Sequence, residues 1–274
     1  MTSINTNVGA MIALQNLNST SMQLQQTQNI ISTGLKVSSA KDDGAVYAIA
    51  QGQRATVSAL DAVKDSLNRG SSVVDVALSA GDSITDLLTQ MKSKALAASD
   101  TSLDTTSRNA MQTDFNSLRD QITSTIANAS FNGIDILDGS TSTLSALANA
   151  SGTSSLTIQG QNMSLGGSIV SISSTASFGT ATSASALLST LDTSLNNVSA
   201  ALAKLGTSST ALANNITFVG KLQDSINQGI GNLVDADMAT ESSKLQALQT
   251  KQSLGVQALS IANQSTSTVL SLFR

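Results

Sequence analysis

The chain has 274 residues, a formal net charge of −4 at pH 7, and no proline, cysteine, histidine or tryptophan. Without histidine and cysteine it lacks the usual general base, the thiol nucleophile and the commonest metal ligands, so we expect no catalytic, cofactor or metal site. Only 12% of the residues are charged, which argues against a nucleic-acid partner, because phosphate binding requires concentrated lysine and arginine.

The first predicted element is a helix over residues 4–33. Four apolar residues recur at intervals of seven along one face: Ala10, Leu17, Leu24 and Ile31. Beside them lie Val8, Met11 and Leu14. Gly34 occupies a position where a helix would stop, and residues 36–44 form a polar loop. A lone amphipathic helix is marginal in water, so this helix needs a partner.

A long helix is predicted from about residue 45 to Ser99, because an apolar or small residue occupies every first and fourth heptad position in its second part. We call these positions the seam: Leu60, Val63, Leu67, Gly70, Val74, Ala77, Gly81, Ile84, Leu88, Met91, Ala95 and Ala98. A period of 3.5 sustained over so many turns is typical of a coiled coil. A polar turn at residues 100–104 and a shorter helix with Phe115 and Ile122 on one face follow.

The chain changes character at Phe131-Asn132-Gly133, after which serine, threonine and glycine dominate to about residue 183. Short alternating apolar runs at residues 156–158 and 169–172 predict hairpin strands. No stretch approaches the ~20 consecutive apolar residues of a membrane span, so no membrane partner is expected.

Two more helices are predicted at about 184–233 and 238–272. The first has a heptad series broken only at Ser209 and Gln223: Leu188, Leu191, Leu195, Val198, Leu202, Leu205, Leu212, Ile216, Val219, Ile226, Ile230 and Leu233. The second begins near Asp235 and Asp237, either of which suits a helix N-cap.

These elements predict a mainly α fold, a long antiparallel coiled-coil helical hairpin with a small β-hairpin region in the middle of the chain. Three regions are expected: residues 1–44 with 235–274, residues 45–130 with 184–234, and residues 131–183. The terminal helices have little neighbouring chain to cover them, so we expect them to contact other copies. The residues expected there are Val8, Leu17, Leu24, Ile31, Leu245, Leu248, Leu259, Val269 and Leu272.

Several stretches resemble bacterial flagellin. They are Ile4-Asn5-Thr6-Asn7, the loop from Ser32 to Asp43, Phe131-Asn132-Gly133-Ile134, and the C-terminal run from Ala262 to Arg274. The loop is the most specific of these, and its motif includes Ser39, Lys41, Asp42 and Asp43.

The resemblance implies a structural subunit, not an enzyme, that polymerises into the extracellular flagellar filament used for swimming. It implies that the two terminal helices pair into a coiled coil in the inner tube of the filament. It also implies that the longer helices form a surrounding shell and that residues 131–183 lie at the surface. It further implies export without a cleaved signal peptide, and an export chaperone, a hook–filament junction protein and a filament cap as partners.

Two other structural functions compete with this one. The junction adapter between hook and filament shares the terminal helices of flagellin, and an unrelated coiled-coil scaffold would share the heptads. An enzyme carried on a flagellin would need a large insert with a His-Glu-x-x-His helix, and the chain has no histidine. Lys41-Asp42-Asp43 could be an acid/base or metal site, but adjacent carboxylates on a loop are usually solvated or paired with a cation.

Overall fold

The computed structural model describes residues 6–271, and the side chains of residues 6–264. Over that part of the chain it contains five α-helices and a two-stranded antiparallel sheet, so the mainly α prediction is confirmed. The elements are α1 (Val8–Thr33), α2 (Gly44–Ala98), α3 (Thr105–Ala127), β1 (Thr143–Leu147), β2 (Ser155–Gln159), α4 (Ala181–Val234) and α5 (Met238–Ser271).

The chain divides into two compact units. Unit 1 comprises residues 1–55 and 225–274, and unit 2 comprises residues 56–224. Each boundary falls inside a helix, since residues 55 and 56 both belong to α2 and residues 224 and 225 both belong to α4. The boundaries between the two units therefore do not coincide with the ends of the terminal helices.

Short polar residues set the ends of the helices in unit 1. The Asn7 side chain accepts a hydrogen bond from the backbone of Ala10 and caps α1, which ends at Gly34 in the left-handed conformation with φ 72°. Asp43 caps α2 in the same way, because its Oδ1 accepts from two backbone amides at 3.0 Å. Of the two candidate caps for α5, only Asp237 accepts from the first turn, whereas Asp235 pairs through its backbone with Leu35.

All twelve seam positions of α2 are buried in unit 2. Along α4, Leu191, Val198, Leu205, Leu212 and Val219 are buried, while Leu195, Leu202 and Ile216 are half-buried.

The two helices run antiparallel, since Gly70 lies against Leu212 and Gly81 lies against Leu202. At Gly81 the Leu202 side chain occupies the space that a Cβ would take, so the helices approach closely there.

One polar side chain interrupts the buried apolar contacts of unit 2. Gln223 is 8% exposed, and its amide nitrogen donates to Asp61 Oδ1 at 2.8 Å and to the carbonyl of Val57 at 3.3 Å. Because a buried amide without partners is costly, these two bonds are what makes its position tolerable.

A buried arginine closes the end of α2. Arg108 of α3 is 8% exposed, and its Nε donates to the carbonyl of Ala98 at 3.0 Å. Its Nη2 donates to the carbonyls of Asp100 and Leu103 at 2.9 and 3.1 Å. The last turn of a helix leaves carbonyls without helical partners, and here the guanidinium satisfies that of Ala98. Its other two acceptors lie in the turn that follows α2, so the same side chain also fixes the turn into α3.

The β region begins with a tight turn at Phe131–Ile134. Asn132 and Gly133 have φ of 52° and 78°, and the flanking residues exchange two backbone hydrogen bonds of 3.0 Å. Positive φ at both central residues is the type I′ hairpin geometry that Asn-Gly favours. In the sheet that follows, β1 pairs with β2 so that Leu144 lies opposite Ile158.

The predicted strand at residues 169–172 is wrong, because the structure has no strand there. Val170 and Ile172 are buried and Ser171 is exposed, but the amide of Ser171 donates to the hydroxyl of Ser194 in α4 at 3.1 Å. The alternating burial of residues 170–172 thus reflects a segment that lies on α4 without forming a strand. The run at 156–158 does lie in β2, whereas the sequence patterns do not predict β1.

Candidate functional site

The terminal helices α1 and α5 pack against each other antiparallel in unit 1. At one end, Asn7 Nδ2 donates to the carbonyl of Ala262 at 2.9 Å. Further along, Leu17 lies against Gly255, where an added Cβ would be 3.3 Å from Leu17 Cδ1. The pair is therefore formed within one chain, with glycine allowing a close approach.

The face of α1 that packs on α5 carries the predicted heptad. Leu17, Leu24 and Ile31 are half-buried there, and Thr27 is the one buried residue of α1. Among the described side chains of α5, Leu248 is buried, while Leu245 and Leu259 are half-buried. Val8 lies off this face and is 60% exposed. The Val269 side chain and residue Leu272 lie outside the described parts of the chain.

A second set of apolar residues on these helices faces solvent. We call it the terminal-helix surface: Val8, Met11, Ile12, Leu14 and Met22 of α1, and Leu254, Val256 and Ile261 of α5, each at least 48% exposed. Only Val8 of this set belongs to the predicted contact residues. The signal for some of the others is a second apolar stripe away from the first, for example Met11 and Met22 on α1, or Leu254 and Ile261 seven residues apart on α5.

Large apolar side chains that are exposed together on two packed helices are typical of a place where another protein binds. Unit 2 contrasts with it, because the seam of α2 and its counterpart on α4 are largely covered within the chain. Unit 2 also exposes Leu96, Phe131, Leu147 and Phe218, but the terminal helices carry the larger number of exposed apolar side chains.

The loop after α1 is organised by one carboxylate. Asp42 Oδ2 accepts hydrogen bonds of 2.9–3.1 Å from the backbone amides and the hydroxyls of both Ser38 and Ser39. The hydroxyl of Ser38 first, and then the amide and hydroxyl of Ser39, hold the pKa of Asp42 below its ordinary value of 3.8. Lys41 is exposed, and Asp43 is used as the cap of α2. These contacts account for the loop motif as a folded turn.

The loop also connects to the segment between α4 and α5. The Lys36 backbone amide donates to the carbonyl of Val234 at 2.7 Å, and the Ala236 amide donates to the carbonyl of Gly34 at 2.9 Å. Lys36 Nζ reaches the carbonyl of Asn232 at 3.0 Å. The two connections that lead into the terminal helices are therefore bonded to each other.

In the described part of the chain, no group of three or more His, Cys, Asp and Glu side chains could hold a metal ion. None of the described helices is long and apolar enough to cross a membrane.

Two family models match the chain at its two ends. The model of the bacterial flagellin N-terminal helical region matches residues 4–143, and that of the C-terminal helical region matches residues 188–273. The chain belongs to the bacterial flagellin family. As a flagellin it is a structural subunit of the extracellular flagellar filament that drives swimming, and it is not an enzyme.

Relatives extend over the whole length of this flagellin. Flagellin FljM of Caulobacter vibrioides is 60% identical over 274 residues, covering 100% of this chain and 99% of that protein. A flagellin of Brucella melitensis is 38% identical and covers 100% of both chains. These matches to flagellins span the whole chain. The two alternative functions, a junction adapter and an unrelated scaffold, are therefore not favoured.

Solved structures share the fold at lower identity. Bacillus cereus flagellin has a TM-score of 0.50 at 19% identity, covering 56% of this flagellin and 88% of that chain. A putative flagellar hook-associated protein from Vibrio parahaemolyticus has a TM-score of 0.56 at 16% identity, covering 71% of this flagellin and 100% of that chain. These two likenesses concern the fold alone.

Proposed function

We propose that this flagellin joins the filament through the terminal-helix surface. The observation that carries the proposal is the contrast between the units: the α2–α4 seam is buried within the chain, whereas α1 and α5 cover only part of each other. Burial of the remaining apolar area against neighbouring copies supplies a driving force for polymerisation. A head-to-tail contact of this kind builds an open helical assembly.

The α5-facing residues have an indirect part in this proposal. Leu17, Leu24 and Ile31, with Leu245, Leu248 and Leu259, hold the two helices together and so fix the exposed side chains of one helix relative to those of the other. Val269 and Leu272 continue the predicted apolar face of α5 toward the C-terminus. We assign the terminal helices, residues 1–44 with 235–274, to the inner tube of the filament, residues 45–130 with 184–234 to the shell, and residues 131–183 to its surface.

The remaining partners follow from the family resemblance. The flagellin is exported without a cleaved signal peptide, carried by an export chaperone, and added between a hook–filament junction protein and a filament cap. An exposed apolar helix pair supports the need for a chaperone, because such a surface is prone to non-specific association before assembly.

Seeded elongation with two matched variants tests the surface. Leu254→Asp and Leu96→Asp make the same change at residues that are 57% and 58% exposed, in unit 1 and unit 2 respectively. Because both side chains are exposed in the subunit, both variants should unfold at the wild-type temperature. Leu254→Asp should fail to elongate filament seeds, since it would bury a carboxylate without a partner. Leu96→Asp should elongate them, and equal behaviour of the two variants would contradict the proposal.

A further inference from the structure

The described methionines differ in exposure, and Met111 of α3, in unit 2, is half-buried. Met91 and Met163, both in unit 2, are 0% exposed. Met11, Met22 and Met238, all in unit 1, are 63%, 65% and 42% exposed. The thioethers that solvent can reach are therefore concentrated in the unit that carries the terminal-helix surface.

Met11 and Met22 lie on one side of α1. They are eleven residues apart, which places them about 20° apart around a helix that turns ~100° per residue. The face of α1 that packs on α5, represented by Leu17 and Leu24, is on the other side of the helix. Both sulfur atoms thus belong to the surface that other copies would cover.

An exposed thioether reacts with hydrogen peroxide. The sulfur attacks one peroxide oxygen, the O–O bond breaks, and the other oxygen leaves as water after taking up the proton of the first. Sulfur loses two electrons, peroxide is reduced, and a flexible apolar side chain becomes a polar sulfoxide. A thiol-dependent methionine sulfoxide reductase reverses the step, releasing the oxygen as water while two thiols become a disulfide.

We infer that Met11 and Met22 form a reversible oxidation site whose sulfoxide state prevents the subunit from joining the filament. This inference rests on the proposed function, because the sulfoxides act by placing polar groups where assembly buries apolar side chains. In the finished filament the same contacts shield the two sulfurs. Oxidation therefore acts on the free subunit and not on the polymer.

The experiment begins by mapping oxidation in the free subunit. After brief exposure to hydrogen peroxide, mass spectrometry of peptides should show Met11, Met22 and Met238 oxidised at least about tenfold faster than Met91 and Met163. In filaments, the rates at Met11 and Met22 should fall toward those of the buried pair.

Elongation of filament seeds then measures the consequence. Peroxide-treated wild-type subunits should elongate at least about tenfold more slowly than untreated ones, and treatment with the reductase should restore the rate. The variant Met11→Leu/Met22→Leu keeps apolar side chains of similar volume. After the same treatment it should still elongate, even though its Met238 is oxidised.

Each alternative outcome decides against a stated claim. Treated wild-type subunits that elongate normally would overturn the oxidation site while leaving the proposed function intact. A double leucine variant that loses as much activity as the wild type would overturn the assignment to Met11 and Met22. Untreated subunits that never elongate seeds would overturn the proposed function and this inference together.

Discussion

Replacing Arg108 by methionine should destabilise unit 2 although it removes no apolar contact of the seam. Methionine keeps the apolar stem of the side chain but donates no hydrogen bonds. The carbonyls of Ala98, Asp100 and Leu103 would then lose the guanidinium that joins them.

The magnitude follows from those three bonds. A hydrogen bond from a charged donor contributes ~1.5–3 kcal/mol, but Nη2 is shared between two carbonyls, and Asp100 is exposed enough to regain water. The buried guanidinium also carries a desolvation cost that the variant escapes. We therefore expect a net loss of about 2–3 kcal/mol. For a folded unit of this size, that loss lowers the melting temperature by ~4–12 °C.

Thermal unfolding of the free subunit, followed by far-ultraviolet circular dichroism, measures this loss. Arg69→Met is the matched control, because Arg69 is an exposed arginine of α2 within the same unit. The control should change stability by less than ~0.5 kcal/mol. If Arg108→Met and Arg69→Met unfold at the same temperature, the hydrogen bonds of the Arg108 guanidinium do not stabilise the turn after α2.

Three other outcomes are expected. Leu67→Asp should lower the free energy of unfolding by several kcal/mol. Ser151→Asp, at an exposed turn, should change it by less than ~0.5 kcal/mol. Denaturant titration measures both free energies. Acid should weaken the subunit and the filament. Hydrogen bonds, that from the Ser38 hydroxyl first, lower the pKa of Asp42 in the folded state. The stability that the ionised carboxylate gives to the fold is therefore complete above the ordinary pKa of 3.8, and it is lost as the pH falls through the lower, folded-state pKa. Light scattering should show depolymerisation near pH ~2, and filaments that persist there would contradict this. Deleting the last ten residues should leave a folded monomer that cannot polymerise, as sedimentation would show.

The long helices could be predicted well because their signal is purely periodic. Every position of the seam from Leu60 to Ala98 is buried, and the predicted helix limits lie within a few residues of those observed. A heptad pattern reports that one face of a helix is covered, whatever covers it. Arg108 gave no such signal, since its use depends on the turn that brings three carbonyls around one guanidinium.

The same limit applies to the terminal helices. The stripe through Leu17, Leu24 and Ile31 indicates a covered face but not what covers it. The shortage of neighbouring chain suggested other copies, whereas the family resemblance implied a pair of terminal helices. In the structure that face lies toward α5 of the same chain, and solvent meets a second apolar stripe. The strand expected at residues 169–172 failed for a related reason, because alternation reports alternate burial and not backbone pairing.

Gln223 gives the α2–α4 pair something that its leucines cannot. Helices with repeated apolar seams can slide by seven residues and still bury apolar side chains, although here Leu202 and Leu212 would lose their places against Gly81 and Gly70. A slide would separate the amide of Gln223 from Val57 and Asp61 and leave a buried donor unpaired. The glutamine thus adds a polar contribution to the choice of one alignment, at some cost in stability, beside the contribution that the glycine contacts make.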